Sequence, residues 1–373
     1  MINKELFWSL RRLLIEIIFK AKFIYKFLVN INKNAIFCKK TEALYLWDVR
    51  TNPITFDFTC NLYLVFKYFE IKGFIDFDLI VYIPEGYDFK PFEFQNYSKF
   101  VSSGDLFKRI DDLIIPLAKA CPSVKRIKVI TSKCALQKEI NPKYKMILPH
   151  NSDHYFSYNI RRDEKKLINF LKSETKPLSY PGLKYSKSSL KLFDEIGINF
   201  EDIKSSKLKY VTLTLRDYGF SPLRNTNSDD IKIALQFCKN INAKLILVPD
   251  SVENLSNYFI PKSIRICLSA RKRIDFRIAL YSLSEVNLFS NSGPHGAALF
   301  TKNAKSIMFR YGNGDSTDPY CDSSLLRFKK LSGLSYGDQP FLSLDSYYLW
   351  FKRNKPYTSI DLENALNKLK LKN

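Results

Sequence analysis

Short apolar runs alternate with longer stretches of helical length and spacing from residue 43 to residue 310. The short runs are rich in β-branched and aromatic residues and are bounded by turn residues, which is typical of strands. Strands that alternate with helices pair in parallel through crossover connections, so the pattern predicts an open α/β sheet in each half of the chain. The predicted strands are 43–47, 77–83, 124–130, 209–215, 243–250, 263–268, 285–291 and 304–310, and the predicted helices are 54–71, 105–120, 228–241, 273–283 and 296–302.

A segment rich in Ser, Pro and Lys over residues 172–188 separates the two halves and is typical of an interdomain connection. The chain has 373 residues, a length that suits two domains. We therefore predict two Rossmann-like domains of similar size that face a cleft. The predicted bounds are 1–39 for a basic amphipathic helix, 40–190 for an N-terminal α/β domain and 191–373 for a C-terminal α/β domain.

The N-terminal helix is predicted from residues 6–31, which place their apolar side chains on one face at about 100° per residue. Six charges in this stretch exclude a transmembrane helix, because each is costly at the centre of a bilayer. Residues 1–33 hold seven basic and two acidic side chains, a net charge of +5. Two interpretations stay open: the helix docks on its own domain, or it contacts an anionic membrane surface.

The whole chain is basic, since 59 Lys and Arg against 37 Asp and Glu give a formal charge of +22. An AT-rich genome accounts for this balance, and attraction to polyanions or to an anionic membrane is the functional alternative. We expect no nucleic-acid partner, because the sequence has no nucleic-acid-binding signature. The seven Cys are widely spaced and we expect no signal peptide, so a cytoplasmic protein is predicted, peripheral on the inner face of the membrane if its first helix binds lipid.

Ligands of open α/β sheets bind beyond the carboxyl ends of strands, and the loop after Leu215 has that position. Arg216 and Arg224 supply forked donors suited to a diphosphate, and Asp217 is placed to pair with one of them. Asn225 and Asn227 lie close by in the sequence. The alternative is a solvated loop with a structural Arg–Asp pair.

A second loop of this kind follows the strand predicted over 285–291. Its small residues allow backbone N–H groups to approach a phosphate, and the dipole of the following helix adds positive potential. His295, at the start of that helix, is a candidate for phosphate or sugar contact or for proton transfer. The alternative is a tight turn without a ligand. The candidate donor-binding residues here are Asn291, Ser292, Gly293, Pro294 and Gly296.

The run S-N-S-G-P-H-G-A-A-L-F resembles the donor-site motif of GT-B glycosyltransferases, especially bacterial lipopolysaccharide heptosyltransferases. That family has a D-[ST]-G-P-x-H-x-A-A-A run before the next strand. This sequence departs from it, because Asn291 stands in place of the Asp and His295 comes one residue early. The segment around Arg216 also resembles the arginine-bearing motif with which fucosyltransferase-like GT-B enzymes hold the diphosphate of the donor.

A wider resemblance covers most of residues 43–310. Uncharacterised bacterial proteins of surface-polysaccharide loci, taken to be glycosyltransferases, combine R-x-x-P-x-T-x-D-F with TLR-x-Y-x-x-x-P-x-R-N-x-N and N-x-G-P. The matching residues are Arg50, Pro53, Thr55, Asp57 and Phe58, then Arg216, Tyr218, Pro222, Arg224, Asn225 and Asn227, then Asn291, Gly293 and Pro294.

These resemblances imply a GT-B-like fold and transfer of a sugar from a nucleotide-sugar to a cell-surface glycan or lipid-linked acceptor. The donor is expected in the second half, with cationic side chains and helix dipoles in place of a metal, and no cofactor beyond the nucleotide-sugar co-substrate. Asp57 is the first candidate for the catalytic base, because it lies in a predicted strand-to-helix loop, and Asp217 is the second. Arg50, Asn52 and Thr55 are expected on the acceptor side.

Two other functions stay open. One is a different transferase or an epimerase on the same scaffold, because a fold does not fix a reaction. The other is a membrane-surface binding or scaffold protein that acts through residues 1–33. Metal sites at His150 and His154, or at Asp76 and Asp78, are disfavoured. The histidine pair lacks an H-E-x-x-H glutamate, and the aspartate pair lies at the start of a strand rather than after one.

Overall fold

The computed structural model describes residues 42–50, 52, 54–86, 107–140, 144–148, 182–217, 224–250, 255–311, 336–339, 345–350 and 356–371. The amphipathic helix predicted over 1–39 lies outside the described residues. Within the described ranges, no helix combines the length and the apolar character needed to cross a bilayer.

The N-terminal half forms a sheet of parallel strands in the order β3-β2-β1-β4. Its first three strands were predicted, and β4 was not. The strands are β1 (Glu42–Asp48), β2 (Phe77–Tyr82), β3 (Val124–Ile130) and β4 (Tyr144–Leu148). The helices are α1 (Asp57–Ile71), a π-helical turn (Ile110–Ile114) that leads into α2 (Ile115–Ala120), and α3 (Lys133–Ile140).

The C-terminal half forms a second parallel sheet in the order β10-β9-β8-β5-β6-β7. The chain winds outward from β5 in both directions, as in doubly wound nucleotide-binding folds, so the order reverses between β5 and β8. The strands are β5 (Tyr210–Leu215), β6 (Lys244–Pro249), β7 (Arg265–Ile266), β8 (Val286–Phe289), β9 (Ser306–Tyr311) and β10 (Ser346–Trp350).

The helices of this half differ from the prediction mainly at their ends. The helix predicted over 296–302 has only five residues, and Thr301 pairs with Leu183 instead of continuing it. The helices are a 3₁₀-helix (Lys187–Ile196), α4 (Phe200–Lys204), α5 (Ser228–Asn240), a 3₁₀-turn (Leu255–Asn257), α6 (Ser269–Lys272), α7 (Ile274–Leu283), α8 (His295–Leu299) and α9 (Ser359–Lys370).

One hydrophobic cluster contains buried residues of both halves. Tyr63 of α1 stacks on Phe300, which follows α8, with ring centroids 4.5 Å apart and planes 17° apart. Phe58, Ile278 and Phe289 belong to the same cluster. The two sheets therefore share apolar packing beside the loops where a cleft is predicted.

The chain passes between the halves through residues 182–196. Leu183 is fully buried in the shared cluster, and its backbone N–H donates to Phe300 O. The predicted domain boundary between residues 190 and 191 falls inside the 3₁₀-helix, and Phe193 of that helix packs edge-on against Phe276 of α7, 5.2 Å away.

Candidate active site

The loop after β1 meets the turn after β8. A Cβ added at Gly293 would lie 3.4 Å from Cβ of Phe56, and one added at Gly296 would lie 3.3 Å from Phe56 O. Thr59 and Cys60, in the first turn of α1, also lie within 4 Å of the Gly296 position. Because both loops follow the carboxyl ends of strands, the ligand-binding edges of the two sheets adjoin at Phe56.

The β1–α1 loop is held by polar contacts around Asp48, which ends β1. Arg50 lies 2.5 Å from the Asp48 carboxylate and covers the ring of Tyr82, and the side-chain amide of Asn52 donates to Asp48 O over 2.8 Å. Thr55 Oγ1 accepts from the backbone N–H of Asp57 over 3.2 Å. In this structure Arg50, Asn52 and Thr55, predicted on the acceptor side, shape the loop that presents Asp57 at the start of α1.

Arg216 and Asp217 follow β5, and Asn225 links them. The buried Arg216 guanidinium donates to Asn225 Oδ1, and Asn225 Nδ2 lies 3.5 Å from Asp217 Oδ1. The backbone N–H of Arg216 donates to Thr226 Oγ1 over 3.0 Å. The loop therefore folds back on itself and holds a cationic side chain at the carboxyl end of the central strand.

Arg224 brings the two predicted donor loops together. Its Nε donates to Asn291 O over 2.8 Å, and the second contact, to Asn291 Oδ1, is 3.4 Å long. The loops after β5 and β8 thus adjoin at the point where the strand order reverses, which is the ligand position expected for doubly wound sheets.

Asn227 has a structural role that the sequence interpretation missed. Its side chain accepts from the backbone N–H of Asp230, and the Asp230 carboxylate accepts from the backbone N–H of Asn227 over 2.7 Å. This capping box satisfies two backbone donors at the start of α5. Asn227 is therefore the cap residue, and Ser228 is the first residue of the helix.

The turn at Gly293 is more closed than predicted. The backbone N–H groups of His295 and Gly296 donate to Ser292 O and Gly293 O, and Phe56 occupies the space beside Gly293. The backbone of Gly293 does not have a positive φ. The close packing of Phe56 therefore explains why a glycine stands at this position. Pro294 is the N-cap residue of α8, and the buried Ser292 hydroxyl makes no hydrogen bond in the described structure.

His295 lies in the core, between Phe289 at the carboxyl end of β8 and Ser306 at the start of β9. It is 4% exposed, its Nε2 lies 3.2 Å from Ser306 Oγ, and its ring packs between Phe289 and Tyr348. Burial lowers the pKa of His295 from 6.5 to about 3. We therefore interpret this histidine as a neutral structural residue and no longer as a proton donor to substrate.

The His295 environment predicts sensitivity to acid. The folded state holds the imidazole neutral while the unfolded state takes up a proton below pH 6.5, so the free energy of unfolding falls as the pH drops from 6.5 towards 3. Between pH 7 and pH 5 the loss is about 2 kcal/mol. His295→Gln removes the titration and should lose less stability over this interval in urea unfolding. Equal losses in both proteins would contradict the prediction.

Asp250 and Arg277 form a buried ion pair at the same edge, and neither residue was predicted. Asp250 follows β6, and Arg277 of α7, 2% exposed, donates to Asp250 Oδ1 over 3.2 Å and to Ala270 O over 2.8 Å. Burial raises the pKa of Asp250, whereas the charges of Arg277, Arg216 and Arg109 oppose that shift. Arg109 comes from the N-terminal half, so arginines of both halves influence one carboxylate.

The sequence contains a signal for this pair. Asp250 ends the apolar run A-K-L-I-L-V-P-D, and Arg277 is the charged centre of an otherwise apolar helix turn. A buried charge requires a partner, and perturbed carboxyls in clefts concentrate at functional sites.

No cluster of three or more His, Cys, Asp or Glu suited to a metal occurs in the described part of the chain. Asp78 forms an ion pair with Arg126 and accepts from the hydroxyl of Tyr144 over 2.9 Å. His150 and His154 lie outside the described residues.

Comparisons with known proteins identify the class of fold. No family model matches the sequence, and no curated protein matches it at a significant level. The structure resembles a glycosyl transferase family 9 protein from Veillonella parvula with a TM-score of 0.50 and 10% identity, over 89% of this chain and 97% of that one. It also matches the ADP-heptose lipopolysaccharide heptosyltransferase II of E. coli with a TM-score of 0.45 and 12% identity, over 89% and 99% of the two chains.

The two parallel sheets and their adjoining carboxyl edges thus define a GT-B-like α/β protein. More particularly, the chain is similar in fold to a glycosyl transferase family 9 protein. At this identity the likeness concerns the fold alone.

Proposed function

We propose that the protein is a glycosyltransferase that moves a sugar from a nucleotide-sugar donor to a cell-surface glycan or lipid-linked acceptor. The observation that supports this most is the contact of Phe56, the residue before Asp57, with the turn after β8 and with Arg277 at the carboxyl edge of the other sheet. A base on one side and cations on the other is what sugar transfer needs, because a hydroxyl loses a proton while a diphosphate leaves.

The donor diphosphate is proposed to bind at the carboxyl edge of the C-terminal sheet. Arg216 is at the end of the central strand, and Arg224 and Asn291 join the two loops that flank the reversal of strand order. Forked guanidinium groups hold phosphates through paired hydrogen bonds, and in this proposal they neutralise the leaving group without a metal ion or other cofactor.

Arg216→Ala should weaken binding of a nucleoside diphosphate by about 10- to 100-fold, because a charge-assisted hydrogen bond contributes roughly 1.5–3 kcal/mol. Arg216→Lys keeps a point charge and should lose less. Isothermal titration calorimetry with ADP, UDP, GDP and CDP measures the nucleotide affinity of both variants.

The matched control is Arg265→Ala, which removes an equal charge from β7, where Arg265 donates to Ile196 O. Its affinity should equal that of the wild type. A folded Arg216→Ala protein with unchanged affinity for the diphosphate would move the donor site elsewhere. Hydrolysis or transfer with a panel of nucleotide-sugars distinguishes a glycosyltransferase from an epimerase, which would change the sugar without releasing it.

Residues 1–33 are proposed to hold the protein at the inner, anionic face of a membrane, where it would meet a lipid-linked acceptor. Each basic residue near such a surface contributes about 1 kcal/mol, and the contribution falls with salt. Full-length protein should therefore sediment with anionic vesicles at low salt, and a protein that starts near Lys39 should not. Equal sedimentation of the two would contradict the proposal and favour docking of the helix on its own domain.

A further inference from the structure

We propose that Phe56 is a positioning residue that sets the place of Asp57 according to the occupation of the opposite sheet edge. The proposal rests on the proposed function. Phe56 directly precedes Asp57 in the sequence. Its carbonyl accepts from the backbone N–H and the hydroxyl of Thr59, over 3.0 and 2.6 Å, and these bonds start α1.

The side chain of Phe56 contacts the other half on two sides. On one side is the turn after β8, where Gly293 and Gly296 leave room for the Phe56 side chain and carbonyl. On the other, the Arg277 guanidinium lies over the ring, 5.5 Å from its centroid. A change at either contact moves the ring, and the ring belongs to the N-cap residue of α1, directly before Asp57.

Arg277 connects this contact to the proposed donor edge. The backbone N–H of Asp250 donates to Leu215 O over 3.0 Å, directly before Arg216, and the charges of Arg277, Arg216 and Arg109 all favour the ionised form of Asp250. A diphosphate that binds Arg216 takes up part of the charge that compensates Asp250. The Asp250 carboxylate then relies more on its ion pair with Arg277. The stronger ion pair holds the Arg277 guanidinium in its place above the Phe56 ring. The donor thereby fixes the loop that presents the base.

Amide hydrogen exchange tests this coupling without requiring activity. In the wild type, saturation with whichever of ADP, UDP, GDP or CDP binds should slow exchange in peptides that cover residues 54–60. Phe56→Leu should lose this slowing while its affinity for the nucleotide stays within about twofold. Phe56→Tyr, which keeps the ring, should retain it.

The matched control is Tyr63→Leu, which removes the stacking of Tyr63 on Phe300. That contact also joins the halves, but Tyr63 lies six residues along α1 from Asp57. Tyr63→Leu should lower the melting temperature and leave the nucleotide effect on residues 54–60 intact. If Tyr63→Leu also abolished the slowing of exchange by nucleotide, a general weakening of the contact between the halves would explain the result, and the positioning role of Phe56 would be overturned.

Kinetics provide the second measurement. Phe56→Leu should lower kcat by about 10- to 100-fold with little change in KM for the donor, as misplacement of a reacting group by about 1 Å does. In a protein that already carries Asp57→Asn, Phe56→Leu should lower kcat no further. If the two substitutions instead lowered kcat by independent factors that multiply, the positioning role would be overturned. Failure of every nucleoside diphosphate to bind the wild type would overturn the proposed function and this inference with it, whereas binding with equal protection in Phe56→Leu would overturn the inference alone.

Discussion

Replacing Asp57 with asparagine is expected to lower kcat for sugar transfer by about 100- to 10,000-fold, the usual contribution of a positioned general base. Asparagine keeps the shape of the side chain but accepts no proton from the acceptor hydroxyl. The backbone N–H of residue 57 still donates to Thr55, so the start of α1 should persist. Initial rates with the active nucleotide-sugar and its acceptor measure the effect.

Nucleotide affinity separates this effect from a damaged donor site. Asp57 belongs to the N-terminal half, so Asp57→Asn should bind the nucleoside diphosphate as the wild type does. Asp217→Asn is the matched control, because Asp217 is the other candidate base and lies on the donor side, against Asn225. A larger loss of kcat in Asp217→Asn than in Asp57→Asn would exchange the two assignments.

Periodicity predicted much of the fold, since β1, β2, β3, β5, β6, β8 and β9 lie within or overlap predicted strands. Elements at the sheet margins were less predictable. β7 is two residues long where 263–268 was predicted, because only Arg265 and Ile266 pair with β6. β4, β10 and α9 were not predicted. Of these three, α9 has a local sequence signal, the capping box in which Thr358 and Asp361 exchange hydrogen bonds.

Candidate residues followed from strand ends, but their roles depended on tertiary contacts. The motif around Gly293 suggested a space for phosphate. In the structure, the space beside Gly293 is occupied by Phe56, a residue remote in sequence. His295 stood at the start of a predicted helix, and the direction of α8 turns it into the core. Sequence spacing places a residue on an element, whereas burial and partners follow from how elements pack.

The buried pair of Arg277 and Asp250 leads to the largest expected effect on stability. Arg277→Met should lower the free energy of unfolding by about 3–5 kcal/mol, because it leaves the Asp250 carboxylate buried without its closest cation. The variant also removes the donor to Ala270 O and the cation over Phe56. Urea unfolding measures the loss.

Arg273→Met is the matched control, since Arg273 precedes α7 and forms an exposed pair with Asp275 at 3.5 Å. Exposed pairs contribute about 0–1 kcal/mol, so this variant should unfold nearly as the wild type does. The double variant Arg277→Met with Asp250→Asn removes the buried charge as well and should recover part of the loss. If Arg277→Met cost no more than Arg273→Met, Arg277 would not compensate the buried Asp250 carboxylate, and the coupling through Phe56 would lose its support.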